Sequence, residues 1–390
     1  MKAKGIVNGQ LLLQVSSLML VWMMLYALLG VDNAVVRERE RQAEEAYRAY
    51  LADSLVTIVF VGDIMGHEPQ YQVAYNHETG QYEYTDCFQY VAPYIDSADL
   101  ACGNLEVTMG GAPYSGYPCF SSPDALLYAL QEVGFDVLFT ANNHVLDRGQ
   151  YGVGRTVMML DSVGFAHAGS YVDSLSRDTT YPLVVEVKDM RVGFINATYG
   201  TNGLQVKAPN MVNYIDTVEM AADLARLSEL GADMKIAVMH WGNEYQLKAD
   251  AGQRRCAEWL ACHGVDLIIG GHPHVSQDAD TVFNAEGQPV VVYYSMGNFI
   301  SNQRKPNTYG GVMVMTTLNR FTHRVVAADY IPYYVHKGYI HGKYQYYVVP
   351  SKAYLEGRYD FHLSPYDSLS LLEVHRAMSE RLSNFQQWEE

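Results

Sequence analysis

Hydrophobic and polar positions along the chain predict short buried strands that alternate with amphipathic helices. The run LVTIVFVG at 55–62 is apolar, β-branched and stops at a glycine, which is typical of a buried strand that ends in a loop. Similar apolar runs, most of them ending in Gly, Asn or His, lie at 99–104, 135–142, 191–197, 234–242 and 265–272. Helical patterns separate them, such as 122–134, with Ser122 as its cap, and 217–231. This alternation predicts an α/β domain in which ligands bind at the carboxyl ends of parallel strands.

The pattern changes on both sides of this alternating region. After residue 300 the segments 309–318, 323–335 and 343–350 are typical of antiparallel strands, and the tail from 364 is polar and helix-prone. Residues 33–54 are rich in Glu, Arg and Ala, which predicts a solvated helical linker. We therefore predict a linker at 33–54, a main domain at 55–345 and a C-terminal extension at 346–390.

The N-terminal segment predicts a membrane anchor. Residues 11–31 contain no charged side chain, and as a helix they are long enough to cross about 30 Å of hydrocarbon. Lys2 and Lys4 precede them, which favours a cytoplasmic N-terminus and export of the body. Residues 1–32 are thus expected to form a cytoplasmic stub and a single-pass anchor in the cell membrane, with the C-terminal domain outside the cytoplasm. The alternative is a cleaved signal peptide, with a mature chain that starts near Asp32.

Charge and cysteine content exclude several classes of protein. The formal net charge of −16 argues against nucleic acid as a partner, because binding to phosphate backbones needs a positive surface. An anionic polymer would be repelled too, unless metal ions or basic residues act locally. The five cysteines form no CxxC pair, so neither a structural zinc site nor a disulfide scaffold is expected, although one bridge stays open.

Ligand-type side chains recur at five of the predicted strand ends. Each has an ordinary explanation on its own: Asp63 could be a turn residue and His240 a hydrogen-bonded core histidine. Carboxylate, amide and imidazole groups together suit Mn²⁺, Zn²⁺ or Fe²⁺, and two ions about 4 Å apart could share a carboxylate and activate water. The candidate site residues are Asp63, Glu106, Asn143, His144, His240, His272 and His274.

Two neighbouring loops give weaker candidates. Arg148 could orient its loop by pairing with Asp147, or it could face a substrate anion. Tyr199, Thr201 and Asn202 form a polar loop that is suited to substrate contact, although turn formation alone also explains Asn202.

The motifs around these residues resemble those of the CapA family, the poly-γ-glutamate capsule synthesis proteins, which are related to the calcineurin-like metallophosphoesterases. The resemblance extends from about residue 56 to 300 and rests on GDIM at 62–65, GNLE at 103–106, ANNH with LDRG at 141–149, HWGNEY at 240–245, GGHPHV at 270–275 and YSMGNF at 294–299. It implies an α/β/β/α sandwich of two mixed sheets flanked by helices.

The resemblance also implies a role for each candidate. Asp63 and His274 would hold a first metal ion, and Glu106 would bridge where ordinary phosphoesterases have Asp. Asn143, His240 and His272 would hold a second ion, while His144 would contact the scissile phosphate and protonate the leaving group. The usual Asp-x-His is absent, because Met65 stands at the histidine position. His67 could replace that histidine, or it could be a solvated loop residue.

The implied function is a divalent-metal-dependent hydrolase of phosphoesterase type in capsule or surface-polymer biosynthesis, with a metal-activated water and His144 as general acid. The expected partners are an anionic surface polymer or a phosphoester substrate, together with other polymer-export proteins. The alternative is a non-catalytic protein that binds, exports or tethers the polymer in a metal-dependent way. Turnover of a substrate distinguishes the two.

Overall fold

The computed structural model describes residues 21–22 and 33–389. The predicted membrane anchor at 11–31 therefore lies outside the described residues, apart from Val21 and Trp22. In the described part of the chain, no helix combines the length and the apolar character needed to cross a bilayer. The chain divides into two compact units, Met1–Leu55 and Val56–Glu390, which we describe separately.

The described part of the first unit is a helix, α1 (Asn33–Ser54), and it occupies the predicted linker. Its charged side chains pair along its own surface. Arg41 lies 2.7 Å from Glu38 and 2.6 Å from Glu45, and Arg48 lies 2.7 Å from Glu44. These ion pairs are solvent-exposed, and they follow the three- and four-residue spacing that brings side chains together on a helix.

The second unit contains the remaining described helices and strands. The strands are β1 (Leu55–Ile64), β2 (Tyr75–Asn76), β3 (Gln81–Tyr82), β4 (Leu100–Leu105), β5 (Val137–Phe139), β6 (Ala166–Ala168), β7 (Ser170–Tyr171), β8 (Leu183–Val187), β9 (Met190–Thr198), β10 (Met211–Val212), β11 (Met234–His240), β12 (Leu267–Gly271), β13 (Ala279–Phe283), β14 (Pro289–Tyr293), β15 (Asn298–Ile300), β16 (Gly310–Asn319), β17 (Arg324–Ile340) and β18 (Lys343–Pro350). The helices are α2 (Glu68–Ala74), α3 (Ala92–Asp96), α4 (Ala125–Val133), α5 (Gly149–Val163), α6 (Ser174–Thr180), α7 (Thr217–Glu229), α8 (Ala251–Cys262), α9 (Ser351–Leu355) and α10 (Pro365–Arg381), with a 3₁₀ turn at Thr85–Phe88.

Two large mixed sheets form the framework of this unit. The first has the strand order β18-β17-β16-β1-β4-β5-β6, and β15 also pairs with β1. Its strands β1, β4, β5, β6 and β15 are parallel, whereas β16, β17 and β18 are antiparallel, as the pattern after residue 300 predicts. The second sheet has the order β13-β14-β12-β11-β9-β8, in which the four central strands are parallel and both edge strands are antiparallel.

The layers follow from the alternation of side chains along each strand. Phe139 of β5 lies 5.6 Å from Phe194 of β9, so the two sheets pack against each other. On the opposite face of the first sheet, the side chain of Val61 packs in a cluster that includes Leu127 and Leu160 of α4 and α5. Helix α7 covers the outer face of the second sheet, where a Cβ on Gly193 would lie 2.6 Å from Leu227. The fold is therefore α/β, with two mixed sheets between helices.

The structure corrects three predicted boundaries. β1 continues to Ile64 because it pairs with β4 and β15 on its two sides, so Asp63 lies within the strand and not after it. Ser122 does not cap α4. Its backbone N–H donates to Thr108 O, which holds Ser122 ahead of the helix, and Asp124 is the N-cap residue. The predicted domain boundary at residue 345 falls within β18. No disulfide forms, because all five cysteine thiols are free.

Candidate metal centre

The seven candidate residues converge at the carboxyl ends of parallel strands from both sheets. Asp63 lies near the end of β1, and Glu106 directly follows β4. The others lie at or after the ends of β5, β11 and β12: Asn143 and His144, His240, and His272 and His274. None of the seven residues is more than 3% exposed. The site is therefore a buried cluster of ionisable and amide groups, which is costly unless the groups satisfy one another or a ligand.

Glycines allow the strand ends to approach closely. A Cβ on Gly62 would lie 1.8 Å from Gly297 O, so any side chain there would separate β1 from the turn before β15. A Cβ on Gly271 would lie 2.7 Å from Asp63 Oδ1. The absence of side chains at Gly62 and Gly271 thus brings Asp63 of the first sheet within reach of the histidines of the second.

The two histidines after β12 have left-handed backbones. The φ angle is 95° at His272 and 59° at His274, with Pro273 between them. Such conformations cost a non-glycine residue about 1–3 kcal/mol and are found mainly where the surroundings enforce a functional geometry. Here they place both imidazoles in the same cluster, with ring centroids 6.0 Å apart.

The ligand atoms form two groups that share Glu106. One group is Glu106, His240 and His272, the other is Asp63, Glu106 and His274, and within each group the ligand atoms lie within 4.8 Å of one another. Glu106 Oε1 lies 3.6 Å from His240 Nε2 and 3.8 Å from His274 Nε2. Each group is suited to one cation, and the shared carboxylate corresponds to the predicted bridging position.

Asn143 adds an amide oxygen to the first of these groups. Its Oδ1 lies 2.7 Å from His240 Nε2, which is also the nitrogen nearest to Glu106. Its Nδ2 donates to Asn202 Oδ1 at 3.2 Å, and this contact directs the oxygen towards the histidine. A cation between Glu106 and His240 would therefore also be within reach of Asn143.

Glu106 tests whether the site fits a metal ion. Its carboxylate is fully buried, and Oε1 has no hydrogen-bond partner among the described residues. Burial, followed by the charge of Asp63, raises the pKa of Glu106 well above its usual value. A buried carboxylate in this position is strongly unfavourable without a positive charge next to it. A divalent cation supplies that charge, so the residues fit the predicted cofactor.

The other ligands are in the protonation states that metal binding requires. Burial lowers the pKa of His240 well below the usual value and, together with the charge of His274, lowers the pKa of His272 to about 4. Both imidazoles are thus neutral near pH 7, which is the state in which a histidine binds a metal ion. Burial alone would raise the pKa of Asp63, but the hydrogen bond and charge of His274 lower it to about 2, so this carboxylate is charged.

Two asparagines that the sequence analysis did not assign support the ligands. Asn104 Nδ2 donates to Asp63 Oδ1 at 2.7 Å and lies 3.3 Å from His240 Nδ1. Asn298 Oδ1 lies 3.0 Å from His274 Nδ1, which leaves the other ring nitrogen to face Glu106. Such contacts fix the orientation of metal ligands. Asn104 belongs to the GNLE motif and Asn298 to the YSMGNF motif, so membership in these motifs could have identified both residues from the sequence.

His144 lies beside the two ligand groups and belongs to neither of them. Its Nδ1 lies 2.8 Å from Asp147 Oδ2, and the same carboxylate oxygen accepts the backbone N–H of Phe120 at 2.7 Å. The ring also packs edge-on against Phe120, with centroids 4.6 Å apart. His144 and Asp147 therefore form a buried histidine–carboxylate pair with a fixed ring orientation.

The predicted pairing of Arg148 with Asp147 is wrong. Arg148 Nη1 donates to Pro113 O at 2.9 Å, because the Asp147 carboxylate turns inward to His144 while Arg148 starts α5 at the surface. In the second weak candidate loop, the Tyr199 ring lies 4.4 Å from His272 and Asn202 holds Asn143. The Thr201 hydroxyl donates to Leu204 O and so has a role in the turn.

Sequence comparison identifies the family. The model of the bacterial capsule synthesis protein family, PGA_cap, matches residues 57–303, which include the whole cluster. The chain belongs to the PGA_cap family. Two relatives are the capsule biosynthesis protein CapA of Bacillus anthracis, 26% identical over 73% of this chain and 68% of its own length, and the PGA biosynthesis protein CapA of Bacillus subtilis (strain 168), 27% identical over 69% of each chain.

Solved structures with a similar architecture are more distant. The NAD nucleotidase of Haemophilus influenzae is 12% identical, with 86% of this chain and 65% of that chain covered and a TM-score of 0.46. A phosphatase of Mycoplasma pneumoniae is 15% identical, with 71% and 93% covered and a TM-score of 0.40. The family assignment rests on the sequence matches.

His67 does not replace the missing histidine of this PGA_cap chain. It belongs to neither ligand group, and it is half-buried, so that burial lowers its pKa to about 4. It starts α2, where its backbone N–H donates to Gln70 Oε1 at 2.8 Å. The centroid of its ring lies 5.1 Å from that of Phe120, which also contacts His144. His67 thus packs against Phe120, the residue that contacts the His144 ring.

Proposed function

We propose that this PGA_cap protein is a divalent-metal-dependent hydrolase that cleaves a phosphoester or a related polar bond. The observation that carries the proposal is the pair of buried ligand groups that share Glu106, whose Oε1 has no hydrogen-bond partner within residues 33–389. Two cations, of Mn²⁺, Zn²⁺ or Fe²⁺, would supply Lewis-acid stabilisation and an activated water. Asp63 and His274 would hold one ion, His240, His272 and Asn143 the other, and Glu106 both.

In this proposal His144 donates a proton to the leaving group. Its Nδ1 faces the Asp147 carboxylate, which fixes the ring so that its other nitrogen is available to the substrate. Asp147 is itself held by the Phe120 N–H, so the orientation does not depend on the substrate. His144 is thus a histidine with its own carboxylate beside the ligand groups but outside them, as expected of a general acid.

The proposed setting is the cell envelope. Residues 11–31 would anchor the chain in the membrane, with Val56–Glu390 outside the cytoplasm. The relatives are named for capsule and PGA biosynthesis, so the proposed substrate is an anionic surface polymer or a phosphoester from its synthesis, handled together with polymer-export proteins. Mass determination of the mature N-terminus tests the anchor, because a chain that starts near Asp32 would show that the segment is cleaved.

The hydrolase proposal is tested with the full chain and a matched histidine variant. We expect purified protein to bind about two equivalents of Mn²⁺ or Zn²⁺ and to cleave p-nitrophenyl phosphate or bis-p-nitrophenyl phosphate. His272→Ala should lose metal and lower turnover by about 10³-fold, since a catalytic metal is worth several kcal/mol. His323→Ala, at a half-exposed histidine that follows β16, should change neither.

Two results would contradict the proposal. One is a folded full chain that binds no divalent ion at micromolar concentrations. The other is a metal-loaded chain that turns over no substrate in a panel of phosphoesters and peptides. In the second case, metal-dependent retention of an anionic polymer that His272→Ala abolishes would favour the non-catalytic binding protein.

A further inference from the structure

A group of basic side chains lies beside the metal centre of this otherwise acidic protein. Arg304 and Lys305 belong to the loop that follows β15, and Lys337 lies on β17. We call these three residues the cationic cluster. Arg304 and Lys305 are exposed, and Lys337 is half-buried. Within residues 33–389, none of the three has a carboxylate within 4.0 Å.

Two of these cations share one aromatic ring. Arg304 lies 5.6 Å and Lys337 Nζ 5.3 Å from the centre of the Tyr346 ring. Lys337 Nζ also donates to Asn302 Oδ1 at 3.0 Å, and the Tyr346 hydroxyl donates to the same oxygen at 2.5 Å. Burial, followed by the charge of Arg304, lowers the pKa of Lys337. The fold therefore holds two like charges near each other, which is unfavourable until an anion neutralises them.

The carboxylate whose charge acts on Arg304, that of Asp367, is engaged in other hydrogen bonds. Asp367 Oδ1 accepts the Tyr334 hydroxyl at 2.9 Å, and Oδ2 accepts the Ser364 hydroxyl at 2.5 Å. The hydrogen bonds of Arg304 itself are two long contacts to backbone oxygens, 3.4 Å to Gln303 O and 3.3 Å to Val335 O. Its guanidinium is thus available for a bidentate contact with an added carboxylate or phosphate.

The loop that follows β15 links the cationic cluster to the surroundings of the metal centre through two sets of contacts. Asn302 N–H donates to His67 Nδ1 at 3.4 Å, and His67 packs on the Phe120 ring that also contacts His144. Lys305 Nζ lies 3.7 Å above the Tyr245 ring, whose centroid is 6.2 Å from that of His274. The cluster is therefore a neighbour of the metal centre, at a distance that one extended substrate can cover.

We propose that the cationic cluster is a subsite for a second anionic group of the substrate, a carboxylate or a phosphate, while the scissile bond lies at the metal centre. Arg304 and Lys337 bind the anion directly, and Lys305 provides attraction along the path from Tyr245. The subsite rests on the proposed function for its connection to turnover. It binds substrates that carry at least two anionic groups more tightly than substrates that carry one.

Binding without metal separates the subsite from catalysis. In the presence of EDTA, the full chain is titrated calorimetrically with inorganic tripolyphosphate and, separately, with a hexaglutamate peptide. We expect at least one probe to bind, and Arg304→Gln or Lys337→Gln to weaken it about 10-fold each, as the loss of one charge-assisted hydrogen bond predicts. Arg255→Gln, which removes the same charge from an exposed position on α8, is the control and should bind as the unmodified chain does.

Each outcome has a defined meaning. Binding of tripolyphosphate alone identifies a phosphate subsite, binding of hexaglutamate alone a carboxylate subsite, and binding of both a general anion subsite. Failure of both probes to bind overturns the proposal, and so does equal affinity of Arg304→Gln and Arg255→Gln. If the variants weaken binding but the metal-loaded chain turns over no substrate, the subsite stands and the hydrolase proposal fails. If turnover occurs and the variants bind normally, the reverse holds.

Discussion

The metal centre and helix α1 are both rich in charged residues, but those of α1 are exposed to water and those of the metal centre are buried. In α1 each ion pair is exposed to water, and its partners lie three or four positions apart. In the metal centre Asp63 and Glu106 are fully buried, and their neighbours come from distant parts of the chain. Water screens the first set, so each pair is worth little, whereas the second set has no screening and depends on a cation.

The comparison shows where charge carries function in this chain. Exposed pairs that follow helical spacing can be replaced at low cost because water solvates what is left. A buried carboxylate with an unpartnered oxygen, as at Glu106, is unfavourable unless a positive charge lies next to it. The predictions below should therefore give large effects at the centre and a small effect in α1.

The largest effect is expected for His144→Ala. The imidazole is held by Asp147 outside both ligand groups, so its loss should remove proton donation and leave metal binding intact. We expect kcat to fall about 10³-fold with little change in metal content, within the range for general acid catalysis. Turnover of a substrate with a good leaving group should fall much less, because departure then needs no proton. Equal losses on good and poor leaving groups would remove His144 from this role.

The second prediction concerns the stability of the metal-free chain. The pKa of Glu106 in the folded, metal-free protein is raised above 4.5. The metal-free protein should therefore lose stability as the pH rises from about 4.5 towards this raised pKa. Glu106→Gln removes this loss, so in EDTA at pH 7 the variant should be more stable by about 2 kcal/mol, the cost of a buried unsatisfied polar group. Thermal unfolding against pH measures it. Saturating Mn²⁺ should reverse the order, because only the unmodified chain gains binding energy.

A variant that unfolds earlier than the unmodified chain in EDTA would show that Glu106 is satisfied without a cation. The matched control is Glu132→Gln, at an exposed carboxylate on α4 that accepts a hydrogen bond from Thr85. Its unfolding temperature should respond to EDTA and to Mn²⁺ as that of the unmodified chain does.

Asp147→Asn should have an intermediate effect. The amide oxygen can still accept the N–H groups of Phe120 and His144, so the ring stays in place and only the negative charge is lost. We expect kcat to fall about 10-fold at unchanged KM, because the carboxylate charge no longer assists proton donation from the ring. A purely structural role for Asp147 would lower the unfolding temperature and leave kcat unchanged wherever the variant stays folded.

Sequence patterns placed several ligand-type residues at or near strand ends, because the ends of buried apolar runs are local features, although β1 runs to Ile64 and not to Gly62. Asp63, Glu106 and His240 were found in this way. The left-handed backbones of His272 and His274 were not, since only the packing around Gly271 and Asp63 enforces them. The contact of Asn104 with His240 joins residues 136 positions apart, and no local pattern encodes it. The pairing of Asp147 with His144 instead of Arg148 depends on burial, which only the fold determines.

The smallest effect is expected in α1. Arg41 pairs with both Glu38 and Glu45, yet its side chain is 57% exposed. Arg41→Ala should therefore leave the stability of this helix almost unchanged, since water screens exposed helical pairs and alanine is the better helix former. Circular dichroism of the full chain and its turnover should both remain unchanged. A loss of metal or activity in Arg41→Ala would break the contrast between the two regions, because it would mean that the exposed charges of α1 act on the buried centre.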